Sequence, residues 1–404
     1  MRVLVLGQTG IEKGRFLTAL VASARRNRGL PEDDRDRYAS GFVRAIHLEE
    51  EIKEHTHNAT IQPYLDNLDA EARLRTWQEV MKREVLAPLE TAPPEHVFLA
   101  MHGLFYRNNN FFTPVDWPLL QAFRPTVVLT LIDDAYDVAS RVTVVRETQG
   151  PRTQSSITVA EALLWRSAEV SMADMISRSL GISNFVLSVK HPSEAAFRML
   201  FRRDILRIYA SFPISSTRRI AERVKEINTH RERLHREYAV FDPVCIDELR
   251  VIRPAEEGAS WEFLPRWPLG PVGSAVPSNG DYAAPLQPQL QNLADVITSQ
   301  IEERDYRFID QADVVVAYRP FWGAIEYPAQ GVEKEISHAI AKNKAVYYYD
   351  PPEDFAGRKS RAFRVIERGI RFETLEKLYA ELAKVQKRRN DEAGDRNTTF
   401  EAPP

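Results

Sequence analysis

Arg207-Ile208-Tyr209-Ala210-Ser211-Phe212-Pro213-Ile214 is the stretch on which the reading of the fold turns. Its first half is a run of β-branched, aromatic and small residues that stops at Phe212-Pro213, and a charged, helix-compatible run follows over 217–238. A strand that gives way through a turn to a helix is the opening unit of a parallel α/β domain. The chain has an earlier opening of the same kind. Arg2-Val3-Leu4-Val5-Leu6 leads into Gly7-Gln8-Thr9-Gly10 and a helical run over 14–26. Two such openings about 200 residues apart predict two Rossmann-like parallel-sheet domains of α/β class, joined near 200–206.

Beyond these openings, 97–101, 126–132 and 185–189 read as strands, the first two introduced by Pro94 and Pro125, with 31–37 a charged loop. An amphipathic run over 158–180 reads as a long helix. After Ser211 a second strand starts at Val240-Phe241. Then come a helix over 293–311, a strand over 313–317, a helix over 331–342 and a strand over 345–349. The stretch 253–288 breaks this rhythm with seven prolines, four glycines and two tryptophans, so it is neither a regular helix nor a central strand. It reads as a disordered insertion or as an ordered loop covering a site, and Trp261, Phe263 and Trp267 tilt the reading toward the loop. The charged stretch 384–404 reads as a flexible tail. The expected domains are therefore 1–203 and 204–383.

Composition narrows the function classes. The chain has 404 residues, 44% hydrophobic and 27% charged, enough apolar material for each domain to bury a core. Its 54 basic and 57 acidic side chains leave a formal charge of −3, which argues against a broad nucleic-acid surface and leaves room for local binding of small anions. The single Cys245 allows no internal disulfide and, with nine scattered histidines, points to no structural metal and a reducing compartment. No apolar run is long enough to span a bilayer, so the expectation is a cytoplasmic protein without a membrane partner.

Three clusters carry the chemistry of the second half. They are the strand end quoted above, the run Glu303-Arg304-Asp305-Tyr306-Arg307 leading to Ala312-Asp313-Val314-Val315-Val316-Ala317, and Ala329-Gln330-Gly331-Val332-Glu333-Lys334-Glu335 with Asn343-Lys344-Ala345-Val346 beyond it. Together, over roughly 207–352, they resemble the nucleoside 2-deoxyribosyltransferase superfamily, and especially its 2′-deoxynucleoside 5′-monophosphate N-glycosidase branch. The resemblance implies that Glu335 attacks the anomeric carbon, that Asp305 protonates or orients the leaving base, and that Tyr209 positions the nucleophile. It also implies a homo-oligomer and a small-molecule nucleoside or nucleotide as substrate. Cleaving a base–sugar bond builds positive charge on the sugar, which a carboxylate at the anomeric carbon stabilises while a second acid helps the base depart.

Each of these residues also has a structural reading. Glu335 suits the first turns of a helix on dipole grounds, Asp305 could pair with neighbouring arginines, and Tyr209 could be core. Asp313 reads as a strand terminator and His338 as packing. Two departures from the family pattern bear on the 5′-phosphate: Ala329 stands where a serine is usual, and the loop after the first strand lacks its usual glycines. Ser211, Ser215, Ser216, Thr217, Arg218 and Gly331 are the remaining candidates for substrate contact, with helix capping as the alternative for Ser215 to Arg218.

The first half resembles P-loop nucleoside and nucleotide kinases more loosely. Against G-x-x-x-x-G-K-[ST], Gly7 and Lys13 match, Glu12 replaces the second glycine, and Gly14 replaces the hydroxyl that would hold Mg²⁺. The resemblance implies a degenerate nucleotide site of Gly7, Gly10, Lys13, Arg141 and Arg152, where ATP with Mg²⁺ would bind, with Arg146 and Arg166 in the same region. Leu131-Ile132-Asp133-Asp134 ends a strand there, and His102-Gly103 and 107–110 form a polar loop. A tight turn needing glycine and a solvated arginine face are the alternatives. Three functions stay in play: an N-glycosidase or base-exchange transferase working through Glu335 with no cofactor, a nucleotide kinase using Lys13, and a non-catalytic nucleotide-sensing signalling or defence protein.

Overall fold

The computed structural model describes residues 1–28, 42–57, 68–107, 109–148, 157–202, 204–217, 220–246, 248, 293–322, 329–352, 366 and 368–398. The expected loop over 31–37, the Pro-rich stretch 253–288 and Arg152 lie outside them, as does Arg218. The chain divides into two units between Val189 and Lys190.

The N-terminal unit contains β1 (Arg2–Leu6), α1 (Lys13–Asn27), β2 (Val43–His47), α2 (Leu48–Thr56) and α3 (Ala70–Val80). α3 passes through a π-helical turn, Met81–Leu86, into α4 (Ala87–Thr91). There follow β3 (His96–Ala100), the short antiparallel pair β4 (Phe105–Arg107) and β5 (Asn110–Phe112), α5 (Trp117–Phe123), β6 (Val127–Ile132), α6 (Ala135–Thr148), α7 (Val159–Leu180) and β7 (Ser183–Ser188). Five strands form one parallel sheet in the order β2-β3-β1-β6-β7. β1 lies at its centre, and its apolar run is buried on both faces, as central parallel strands require. Leu4, Leu6, Val97 and Leu99 join one core with Trp77, Met81, Leu120 and Ile176 from the covering helices. α7 shows how local sequence sets an element. Thr158 and Glu161 form a reciprocal cap at its start, and Gly181, in the left-handed region at φ 66°, ends it.

The C-terminal unit contains α8 (Ser193–Phe201), β8 (Arg207–Ser211), α9 (Ile214–Thr217), α10 (Ala221–Glu237), β9 (Ala239–Phe241), α11 (Ala294–Gln311), β10 (Val314–Tyr318), α12 (Gln330–Ala341), β11 (Ala345–Tyr349), β12 (Ile370–Phe372) and α13 (Leu375–Thr398). Its sheet is also parallel and five-stranded, in the order β12-β11-β10-β8-β9. Strand alternation sorts the side chains. Ile208, Ala210, Val314 and Val316 enter a core with Ile227 and Leu234 of α10 and Leu378 and Leu382 of α13. Tyr209 and Ser211 therefore face the other layer, that of α11 and α12. Both units are thus α/β with parallel sheets.

Three expectations change. The division comes at Val189 rather than after residue 203, because α8 belongs to the C-terminal unit. Arg198 of α8 donates to the carbonyls of His235, Arg236 and Tyr238 and so closes the end of α10. The helix expected over 217–238 is present but begins later, at Ala221, and Thr217 ends a separate turn. The Thr217 hydroxyl donates to the Pro213 carbonyl at 2.6 Å and closes that turn. The tail expected to be flexible from 384 is helical to Thr398. Gln386 accepts from the Leu206 N–H at 2.7 Å and donates to the Asp204 carbonyl at 2.6 Å, and Arg389 pairs with Asp313.

Candidate functional site

In chain order, the strands of the C-terminal sheet lie β9 and β8 to one side, then β10, β11 and β12, so the connections leaving β8 and β10 diverge. A crevice opens outside the carboxyl ends of strands at such a switch point, and it is where open α/β sheets bind ligands. Ser211 is the last residue of β8. Its hydroxyl donates to Glu335 Oε2 at 2.5 Å. Glu335 lies in the second turn of α12, and Val332, Ile336 and Ala339 hold that helix against the sheet. Burial and the negative charge of Asp305 push the Glu335 carboxyl up to about 8, against the pull of the Ser211 hydrogen bond.

Asp305 sits on α11 with Arg304 wrapped around it. Arg304 Nε and Nη2 both donate to Asp305 Oδ1, at 3.0 and 2.9 Å, and Nη1 donates to the Ile246 carbonyl at 2.8 Å. Arg304, Asp305 and the nearby Glu248 are all buried. Burial raises the Asp305 carboxyl and Arg304 opposes the rise. The arginine pairing that was the structural alternative for Asp305 is present, but as a buried pair whose charges need each other to be tolerable. Tyr209 is fully buried, and its hydroxyl, close to Glu335, makes no well-formed hydrogen bond among the described residues. Burial, Asp305 and Glu335 keep it a neutral phenol by raising it well above its ordinary value.

The structure thus brings Glu335, Asp305, Tyr209 and Ser211 together and adds Arg304, a sequence neighbour of Asp305 that the resemblance leaves without a role. Glu248 joins them unannounced, since a lone acid just ahead of a Pro-rich run of sequence carries no local signal. Ser211, a candidate for substrate contact, directs its hydroxyl at the Glu335 carboxyl. Gly331 is exposed in the first turn of α12, where an added Cβ would touch nothing within 4 Å, so packing does not demand glycine there. The side chains of Arg146, Ser215 and Ser216 lie outside the described residues, with Arg218. Asp313 binds Arg207 and Arg389 at the opposite, amino end of the sheet. His338 bonds Asp310 at 2.9 Å and stacks on Tyr306.

The other polar centre lies at the carboxyl ends of β1, β2, β3 and β6. An added Cβ on Gly7 would come 2.8 Å from the Leu131 carbonyl, and Gly10 has φ 85°, so this turn does require its glycines. Glu12 points outward beside Arg15 and leaves the turn interior. Lys13 Nζ donates to the Gly7 carbonyl at 2.6 Å and lies 3.3 Å from both ring nitrogens of His102. Burial lowers its ammonium, and Glu49 and Glu169 resist the change. His102 is buried against Glu49. Burial works to raise that carboxyl, but His102, Lys13 and Lys53 together bring it down to about 2. Arg141 Nη1 donates to the Gly10 carbonyl and to Asp133, both at 2.7 Å, so it braces the turn, and Arg166 donates to the Asp133 carbonyl. The solvated arginine face is absent at these two positions. Glu49 gives no signal of its own, because Glu49-Glu50-Glu51 reads as an ordinary acidic helix start.

Among the described residues no His, Cys, Asp and Glu side chains group as a metal site, and no helix is long and apolar enough to cross a membrane. No family model of known proteins matches the chain, and no characterised protein sequence matches it significantly.

Proposed function

We propose that the C-terminal unit is an N-glycosidase or base-exchange transferase acting on a nucleoside or nucleotide. The observation that carries the proposal is the buried set Ser211–Glu335 and Asp305–Arg304, with the Tyr209 hydroxyl beside Glu335, at the carboxyl-end switch point of the sheet. Glu335, oriented by Ser211, forms the bond to the anomeric carbon as the C–N bond breaks. The electron pair of that bond leaves with the base, which the ionised Asp305 orients and to which solvent water supplies a proton. Water or a second base then displaces Glu335 from the sugar, and Asp305 accepts the proton released. The step as written uses no cofactor.

For the N-terminal unit, the engagement of Lys13 and Arg141 by backbone carbonyls and the lack of a hydroxyl at Gly14 favour a role other than phosphoryl transfer. The test is to incubate the intact chain with nucleosides, nucleotides and NAD and to follow free base by chromatography. The expected result is base release that disappears in Glu335→Ala. Release that survives this substitution overturns the assignment of Glu335. ADP formed from ATP and a monophosphate, and abolished by Lys13→Ala, moves catalysis to the N-terminal unit. Tight nucleotide binding without any product supports a sensing protein instead.

A further inference from the structure

The turn after β1 already holds an anion, and it comes from the chain itself. Glu169, midway along α7, is buried, and both its carboxylate oxygens are occupied by backbone donors. Oε1 accepts from the N–H of Gly7 at 3.0 Å and of Gly103 at 2.7 Å, and Oε2 accepts from the N–H of Leu104 at 2.7 Å. Three amides from the turns after β1 and β3 converge on one negative group, which is the arrangement by which backbone nests hold phosphates and carboxylates. The cations nearby are engaged too: Lys13 with the Gly7 carbonyl, Arg141 with the Gly10 carbonyl and Asp133. An added Cβ on Gly103 would meet the Glu169 carboxylate at 3.4 Å and Met172 at 3.0 Å, so the carboxylate is seated closely against that backbone. None of these contacts is visible in the sequence, where Glu169 stands 162 residues from Gly7 and reads as one more charge on a long helix.

We propose that Gly7, Gly103 and Leu104 form a carboxylate-binding nest whose resident ligand is Glu169, and that this resident anion closes the P-loop-like turn to phosphate. The consequence is specific. The wild-type turn takes up no inorganic phosphate, whereas a chain lacking the Glu169 carboxylate has a vacant nest that a small free carboxylate or phosphate refills. All of these residues belong to the N-terminal unit, so the outcome is independent of what Glu335 does.

The experiment compares the intact wild-type chain with Glu169→Ala and Glu169→Gln by thermal unfolding at neutral pH, in chloride, acetate or inorganic phosphate at matched ionic strength. Wild type is expected to unfold at one temperature in all three. Glu169→Ala is expected to unfold several degrees lower in chloride and to recover at least half of the loss in acetate or phosphate. Glu169→Gln keeps the shape without the charge, so it is expected to lose stability as well and guards against an alanine variant that fails to fold. A wild-type response to phosphate that Lys13→Ala removes would overturn the proposal. So would a Glu169→Ala chain indifferent to both anions, or a Glu169→Gln chain as stable as wild type.

Discussion

Glu335 is the residue at which function and stability pull apart. Its carboxyl ionises near 4.5 in an unfolded chain and near 8 in the folded one, so between these values the folded state holds a proton that the unfolded state has lost. The contribution of this group to stability is therefore full below about pH 4.5 and is lost as pH rises through about 8. Glu335→Gln removes that loss. The variant is expected to match wild type in thermal unfolding at pH 4 and to exceed it by roughly a few kcal/mol at pH 9, since a tenfold change in proton affinity corresponds to about 1.4 kcal/mol. An unchanged difference across that range contradicts the buried, raised carboxyl. The same rise dictates the activity profile. A nucleophile must be ionised, so base release should increase with pH toward about 8. A rate that falls over this interval would make Glu335 the proton donor instead. Ser211→Ala tests positioning through a neighbour: the hydrogen bond it removes favours the ionised form. We expect kcat/KM to drop about 10–100-fold, the equivalent of a charge-assisted hydrogen bond, with the rising limb displaced to higher pH. A purely structural serine would leave that limb in place.

Among the elements, helix α7 and strand β11 were legible in the sequence for identifiable reasons. Thr158, Glu161 and Gly181 are local signals that cap one helix whatever lies around it, and the short apolar run at 345–349, bounded by Lys344 and Asp350, has the length and composition of a buried strand. The C-terminal helix α13 was not legible, because its charges satisfy the description of a solvated tail equally well. Two long-range anchors decide between these: Gln386 on the Asp204–Leu206 backbone and Arg389 on Asp313. Gln386→Ala should cost about 1–3 kcal/mol by leaving a backbone donor and acceptor without partners, whereas Lys387→Ala elsewhere on the same helix should stay within about 0.5 kcal/mol. Equal effects from the two, measured by denaturant unfolding, would show that the helix is not anchored there. In the turn after β1, Gly7→Ala should destabilise by about 1–3 kcal/mol, since its Cβ would meet the Leu131 carbonyl, a backbone atom that cannot step aside.

Each unit of the molecule has its own five-stranded sheet and its own core. Residues 1–189 and 190–404, expressed separately, should each unfold cooperatively, and base release should travel with the second. A disordered 190–404 fragment by NMR would contradict this division. Local sequence was enough to establish that there are two α/β units and where most of their strands run, because strand periodicity and turn residues act over a few residues, whereas the carboxyls at 305 and 335 were pointed to only by the family resemblance. Folding in three dimensions was needed to learn that Ser211 serves Glu335, that Arg304 and Asp305 are buried together, and that Glu169 fills the turn after β1. Those pairings join residues 65 to 162 positions apart, or rest on burial that no neighbouring residue reports. Hydrogen bonds and desolvation depend on distance in space, and the packing of helices on a sheet sets that distance.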